Sequence, residues 1–193
     1  VLEMKKQGHI FGYRDALQFI PNRPSAIIRI CDFETRDYCD ARGEWDNSPA
    51  APLIESDHWK NIFSYRFGDI DPDRHTLYEG AESAKAYFAE LEDRIISLNL
   101  AKTIVREFAS IPDDVQCYVF HCNAGSSRSP AAAIALNQIF NLDLEWGERA
   151  ARVVNRLSSR NWEKHHPSDV VGNLTVYNRL IEAGKVLGLL TDG

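Results

Sequence analysis

Ten residues, His121 to Pro130 (HCNAGSSRSP), place a thiol, a glycine, three hydroxyls and an arginine directly after an apolar run. The run, residues 115–120, is typical of a buried strand, and the small apolar residues 131–136 that follow are typical of a helix in the core. A strand, a polar turn and a helix in this order aim backbone N–H groups and the positive end of a helix at one point. The sequence therefore predicts an anion-binding loop that begins at Cys122.

The residue types in this loop suit a nucleophile held beside a phosphate. The N–H groups, the helix dipole and Arg128 would stabilise the thiolate of Cys122, which would make it a nucleophile at neutral pH. Arg128 can offer a planar pair of donors to two phosphoryl oxygens, and Gly125 allows a turn that a side chain would obstruct. Ser129 is expected to be the N-cap of the helix, with Pro130 in its first turn.

The segment from His121 to Ser129 resembles the active-site motif of the cysteine-dependent protein tyrosine phosphatase superfamily: His-Cys, five residues, Arg, then Ser or Thr. Every fixed position is filled, and the ending AGSSRSP is most similar to the dual-specificity branch. The resemblance implies that Cys122 attacks phosphorus to form a phosphocysteine and that Arg128 binds the phosphate. Ser129 would stabilise the leaving thiolate, and His121 would order the loop through hydrogen bonds to the backbone. The remaining loop positions would bind the phosphate mainly through backbone N–H groups: Asn123, Ala124, Gly125, Ser126 and Ser127.

The mechanism that this resemblance implies also needs an acid to protonate the departing oxygen, and the family takes it from an aspartate on an earlier loop. Residues 66–72, RFGDIDP, resemble the end-of-strand Phe-x-Asp of the dual-specificity and lipid-phosphatase branches, which assigns the acid to Asp69. Asp71, two residues further on, is the alternative acid. Asp69 and Cys122 lie farther apart in sequence than in compact dual-specificity enzymes, and a long helical segment between them takes up the excess.

Apolar runs predict strands, and stretches with helical spacing lie between them. Predicted strands cover 26–30, 62–67 and 115–120. Predicted helices cover 15–19, 81–109 (one helix or two broken near Asn99), 131–136, 143–157 and 170–189. This order indicates an α/β fold with a small, mostly parallel central sheet flanked by helices, and the resemblance implies a phosphate-binding loop between a strand and a helix. Residues 31–59 show no sustained period and are expected to form either a functional or a mobile loop.

Composition limits the class of protein. The 193 residues suit a single phosphatase-like domain over 1–193, with residues 1–8 expected to be flexible or partly non-native. A net charge of −6 argues against binding to nucleic acid or to an anionic membrane. No apolar stretch reaches the length of a membrane span, and the N-terminus has no apolar core behind its charges, so a cytoplasmic monomer is expected.

The four cysteines lack the spacing of a zinc site or a disulfide scaffold, and no metal or other cofactor is expected. Cys31 and Cys117 lie in apolar runs, where plain burial is the simpler interpretation. Some members of the family that the loop resembles protect the nucleophile in a disulfide, which keeps Cys31 and Cys117 open as redox partners of Cys122.

The sequence thus predicts a phosphatase that hydrolyses phosphomonoesters through a phosphocysteine. A phosphorylated protein is the expected substrate, through phosphotyrosine and with phosphoserine and phosphothreonine left open, and small phosphomonoesters would also react. A phosphoinositide or inositol-phosphate phosphatase is the alternative enzyme, but its loop commonly carries lysine, and none lies between Cys122 and Arg128. The alternative from another class is a phosphate-binding interaction module without turnover.

Overall fold

The computed structural model describes residues 5–31, 52–148, 150–152 and 172–191. Five strands in these ranges form one sheet, and every pairing between them is parallel. They are β1 (Gln7–Phe11), β2 (Ser25–Cys31), β3 (Trp59–Arg66), β4 (Cys117–His121) and β5 (Glu145–Trp146). Their order across the sheet is β3-β2-β4-β1-β5, so that β4 lies at the centre.

Helices connect the strands and cover the sheet. They are α1 (Tyr13–Gln18), α2 (Pro72–Glu79), α3 (Ala81–Phe88), a 3₁₀ helix (Ala89–Arg94), α4 (Leu98–Ala109), α5 (Arg128–Phe140) and α6 (Leu174–Val186). The helices α4, α5 and α6 pack against one another, whereas α1 packs beside β1 and β4. The predicted α/β class, with a central sheet flanked by helices, is confirmed.

The two faces of the sheet contact separate apolar clusters because successive side chains of a strand point to opposite sides. Ile28 and Phe120 belong to the larger cluster, which also contains buried residues of α4, α5 and α6. Ile27 and Val119 belong to the smaller cluster, where Phe19 at the end of α1 packs. Burial on both faces explains why β2 and β4 appear in the sequence as continuous apolar runs.

The predicted strands at 26–30, 62–67 and 115–120 correspond to β2, β3 and β4, with shifts of a few residues at the ends. The strand β1 was not predicted, and the expectation of a flexible segment over 1–8 is wrong for Gln7 and Gly8, which pair with both β4 and β5. A Cβ on Gly8 would lie 2.5 Å from the Trp146 ring. This strand therefore packs closely through a glycine, Gly8. Because glycine has no apolar side chain, the strand lacks the alternation by which a strand is recognised in a sequence.

The predicted helical region 81–109 contains two α-helices joined by the 3₁₀ helix. The second, α4, begins after Ser97, whose Oγ accepts a hydrogen bond from Leu100 N at 3.1 Å, so the break lies close to the predicted Asn99. The helix α2 was not predicted. It begins at Pro72, and the Asp71 side chain caps it by accepting from Arg74 N.

The remaining expectations concern regions that the structure describes only in part. The start of the predicted helix 143–157 is the strand β5, residues 148 and 150–152 are helical, and the rest lies outside the described residues. The predicted helix 170–189 contains α6, and its first two residues lie outside the described ranges. Of the irregular segment 31–59, residues 32–51 lie outside them as well. No helix in the described part of the chain is long and apolar enough to cross a membrane.

Parallel pairing brings the carboxyl ends of the strands to one edge of the sheet, where open α/β sheets place their ligand sites. Cys122 directly follows β4 at the centre of this edge. Gly12 directly follows β1, and Asp69 lies three residues after the end of β3. The fold therefore places the segments with predicted chemistry at the same edge.

Candidate active site

We call residues 122–127 the Cys122 loop. The loop begins at the end of the central strand β4 and ends at Ser127, the residue before α5. Gly125 has a φ of 69°, a conformation that glycine adopts without strain. Cys122 itself is only 2% exposed, so its sulfur lies at the bottom of the loop rather than on the surface.

The connection between β1 and α1 supports this loop from one side. A Cβ on Gly125 would lie 2.5 Å from Gly12 N and from the carbonyl carbon of Phe11. Tyr13 N donates a hydrogen bond to Asn123 O at 2.9 Å. The strand that sequence reasoning missed therefore forms a wall of the candidate site.

Backbone amides line the Cys122 loop. Among hydrogen bonds between described residues, none is donated by the amide of Ala124, Gly125, Ser126 or Ser127. The sequence assigned these amides, together with that of Asn123, to a bound phosphate. Because α5 begins directly after them, its N-terminus adds positive potential at the same place, which favours an anion.

Ser129 contacts the thiol. Its Oγ donates to Cys122 Sγ at 3.2 Å, and both side chains are buried. A hydroxyl donor at this distance stabilises negative charge on the sulfur. The expectation that Ser129 caps α5 is wrong, because the helix begins at Arg128 with Ser127 in the N-cap position and Pro130 within its first turn. The hydroxyl of Ser129 faces the sulfur instead.

Arg128 links the start of α5 to the end of β3. Its guanidinium is 2% exposed, and Nη1 donates to the carbonyl oxygen of Phe67 at 2.7 Å. Phe67 lies two residues before Asp69, so this contact holds a cation between the Cys122 loop and the segment that follows β3. A planar guanidinium of this kind can bind two oxygens of a phosphate together.

Asp69 has one anchored oxygen and one open oxygen. Its Oδ1 accepts hydrogen bonds from Ser127 Oγ at 2.6 Å and from Asn173 Nδ2 at 3.0 Å. Its Oδ2 accepts none from any described residue, and the side chain is exposed. A carboxyl group held in this way can exchange a proton through its open oxygen without losing its position.

Asp71 has a different environment, because both of its oxygens are occupied. Its Oδ1 accepts from the backbone amide and from the hydroxyl of Thr175, each at 3.0 Å, and its Oδ2 accepts from Leu174 N at 2.9 Å. The carboxylate also forms an ion pair with Arg74, at 3.3 Å. Asp71 thus joins α2 to the first turn of α6, and proton transfer by this residue would break that joint.

Asn173 connects all these parts, and sequence reasoning gave it no role. It is 1% exposed; its backbone N–H donates to Ser127 O at 3.1 Å, and its Nδ2 donates to Asp69 Oδ1 and to Ile70 O. Its Oδ1 caps α6 by accepting from Val176 N. An asparagine before an apolar helix indicates the start of that helix. Its contacts with Asp69 and Ile70, more than a hundred positions away, cannot be predicted from the neighbouring sequence.

His121 contacts a buried arginine that sequence reasoning also missed. Arg29, on β2, donates from Nε to His121 Nε2 at 3.1 Å, and both residues are buried. Burial, together with the charges of Arg29 and Arg128, lowers the pKa of His121 to about 3. The resemblance implied hydrogen bonds from His121 to the backbone of the loop, but within the described residues Nε2 bonds to Arg29 and Nδ1 has no hydrogen-bond partner. The backbone of Cys122 only opposes the fall in the pKa of the ring. His121 is therefore neutral at neutral pH.

The cysteines considered as redox partners, Cys31 and Cys117, are buried. Cys117 begins β4, five residues before Cys122, which corresponds to about 16 Å along a strand. A disulfide requires Cα atoms within about 7 Å, so Cys117 cannot bond to Cys122 in this fold. Burial raises the pKa of the Cys117 thiol. Cys31 ends β2, and its role as a redox partner stays a prediction.

No group of three or more His, Cys, Asp or Glu side chains within the described ranges is placed to hold a metal ion. Comparison of the chain with models of known families, with curated proteins and with solved structures found no match. The geometry of the site is therefore the basis for assigning a function.

The close approach at Gly125 predicts a specific loss of stability. Gly125→Ala puts a Cβ against β1 and also places alanine at positive φ, whereas Gly188→Ala meets only the second penalty, because Gly188 has a φ of 71° and open space around it. Unfolding in urea should show a loss of about 1–2 kcal/mol for Gly188→Ala. The loss for Gly125→Ala should exceed this by about 1–3 kcal/mol. Equal losses would show that the loop does not pack against β1.

The low pKa of His121 predicts how stability depends on pH. Below pH 6.5 His121 binds a proton in the unfolded chain but stays neutral in the folded protein. The contribution of His121 to the free energy of unfolding is therefore complete above pH 6.5 and is lost as the pH falls toward 3. Between pH 6.5 and 5 this loss is about 2 kcal/mol. The free energy of unfolding of His121→Gln should fall less steeply over this range than that of the wild type. Parallel curves for wild type and His121→Gln would contradict the assignment.

Proposed function

We propose that the protein is a cysteine-dependent phosphatase of the protein tyrosine phosphatase type that hydrolyses phosphomonoesters in two steps. The observation that supports this most strongly is the combination at one edge of the sheet: a buried thiol, Cys122, with a hydroxyl donor from Ser129. Arg128 and the anchored carboxylate of Asp69 lie beside the same loop. Each of these groups has a defined task in transfer of a phosphoryl group to sulfur and then to water.

In the first step the phosphate binds to the amides of residues 123–127 and to Arg128. The thiolate of Cys122 attacks phosphorus, a sulfur–phosphorus bond forms, and the bond from phosphorus to the leaving oxygen breaks. That oxygen takes a proton from Oδ2 of Asp69 and departs as an alcohol or a phenol. The anchored Oδ1 keeps the carboxyl group in place during the transfer.

In the second step water attacks the phosphocysteine. Asp69, now a carboxylate, takes a proton from the attacking water, and the phosphorus–sulfur bond breaks to release inorganic phosphate. The electron pair returns to Cys122 as a thiolate, which the Ser129 hydroxyl stabilises. The cycle ends with the enzyme in its starting state, and neither step uses a metal or a cofactor.

Phosphotyrosine in proteins is the proposed substrate. No lysine or arginine lies between Cys122 and Arg128, so Arg128 is the single cationic side chain of the motif. One cation suits a single phosphate better than the several phosphates of an inositol ring. The open oxygen of Asp69 supports turnover over binding alone, because a module that only binds phosphate needs no proton donor. The cytoplasmic location and the monomeric state stay predictions.

Replacement of the nucleophile tests the first step. In Cys122→Ser the hydroxyl is a far weaker nucleophile than a thiolate, so hydrolysis of an aryl phosphate should fall to the uncatalysed rate. Cys117→Ala removes a buried cysteine at the other end of the same strand and should retain turnover, with unfolding curves to show that both variants are folded. Undiminished turnover by Cys122→Ser would eliminate the proposal.

The acid assignment predicts a dependence on the leaving group. In the first turnover, Asp69→Asn should slow release of the leaving group from a phosphotyrosine peptide by about a hundredfold to ten-thousandfold, and release of an acidic phenol from its phosphate ester far less, because the acidic phenol leaves without a proton. Asp71→Asn should instead lower the free energy of unfolding and slow both substrates to the same extent. A leaving-group effect in Asp71→Asn that is missing in Asp69→Asn would reverse the assignment.

A further inference from the structure

A buried cation lies close to the Cys122 loop without belonging to it. Arg29 is in the middle of β2, is 4% exposed, and is the register partner of His121 on β4. Its Nε donates to His121 Nε2 at 3.1 Å. The guanidinium therefore contacts the residue that directly precedes Cys122.

The contact determines which nitrogen of His121 carries the proton. A neutral imidazole has one N–H and one lone pair, and Nε2 must supply the lone pair because it accepts from Arg29. The proton is then on Nδ1. In the opposite tautomer an N–H on Nε2 would face the N–H of Arg29 at 3.1 Å. A guanidinium has no acceptor, so this arrangement could not form a hydrogen bond.

His121 lies next to the parts of the chain that lead to the thiol. Its main chain continues directly into Cys122. Its ring packs edge-on against Tyr13, at 6.2 Å between ring centroids, and Tyr13 N holds Asn123 O. The position of the imidazole is thus linked to the first two residues of the Cys122 loop, through the main chain and through Tyr13.

We propose that Arg29 is a positioning residue for Cys122: its hydrogen bond holds His121 as the Nδ1-protonated tautomer and fixes the ring, and the fixed ring positions the start of the loop from which the thiol projects. The proposal rests on the phosphatase function for its kinetic consequence, but the link between Arg29 and His121 can be observed without any activity. Both Arg29 and Arg128 lower the pKa of His121, so the two cations act on the same imidazole from β2 and from α5. Arg29 touches no substrate in this scheme.

The direct test is a two-bond proton–nitrogen NMR spectrum of the ¹⁵N-labelled protein, in which the two neutral tautomers of histidine give different patterns. The His121 signals are assigned by their loss in His121→Gln. The wild type should show His121 protonated on Nδ1 at neutral pH. Arg29→Met, which keeps an unbranched side chain without a donor, should show a mixture that includes the Nε2-protonated form, and Arg29→Lys should restore the wild-type pattern in part.

Kinetics on a phosphotyrosine peptide should follow the tautomer. Groups that orient a reacting residue from behind typically contribute about tenfold to a hundredfold, so kcat of Arg29→Met should fall by this amount while KM changes less. Arg29→Lys should have an intermediate kcat. Arg106→Met, which removes an exposed arginine on α4, should change neither the spectrum nor kcat.

An Nε2-protonated His121 in the wild type would overturn the proposal even if Arg29→Met did not fold. A lower kcat in Arg29→Met with an unchanged tautomer would also overturn it, because Arg29 would then act by another route, and so would an unchanged kcat with a changed tautomer. Failure of the phosphatase function is recognised separately, since wild type and Cys122→Ser would then share one rate while the spectrum still reports on Arg29.

Discussion

Two hydrogen bonds that meet at Oδ1 of Asp69 hold the candidate site together. Ser127 donates one from the end of the Cys122 loop, and Asn173 donates the other from the start of α6. These segments come from distant parts of the chain. The loop and Asp69 meet because the carboxyl ends of parallel strands lie along one edge of the sheet. One carboxylate oxygen therefore links the proposed acid, the Cys122 loop and the start of α6.

The electrostatics of the site follow from what is buried there. Arg128 and Arg29 are buried cations, and the imidazole of His121 stays neutral at neutral pH because burial and, after it, the two arginines lower its pKa. The Ser129 hydroxyl donates to sulfur, and the N-terminus of α5 lies beside the loop. These groups favour an anion at the loop, and in the proposed mechanism they would favour most the transition state in which a phosphoryl group is shared between two partners.

The part of the site formed by neighbouring residues could be predicted from the sequence. The part that depends on contacts between distant residues could not. Cys122, Arg128 and the loop between them form a contiguous motif, and β2 and β4 are continuous apolar runs. The N-cap of α5 was predicted wrongly because a serine hydroxyl can face either a helix end or a sulfur, and only the fold decides. Asp69 and Asp71 look alike in sequence, since their difference lies in partners about a hundred positions away. Arg29 and Asn173 were missed for the same reason.

The central claim is that Cys122 carries the phosphoryl group between the two steps. The most direct measurement is rapid acid quenching of the Asp69→Asn protein mixed with a phosphate ester of an acidic phenol, followed by mass spectrometry of its peptides. Loss of the base that activates water should make the intermediate accumulate. We expect one added phosphoryl group on the peptide that contains Cys122, bound through sulfur. A phosphoryl group on any other residue, or steady turnover with no phosphorylated enzyme, would contradict it.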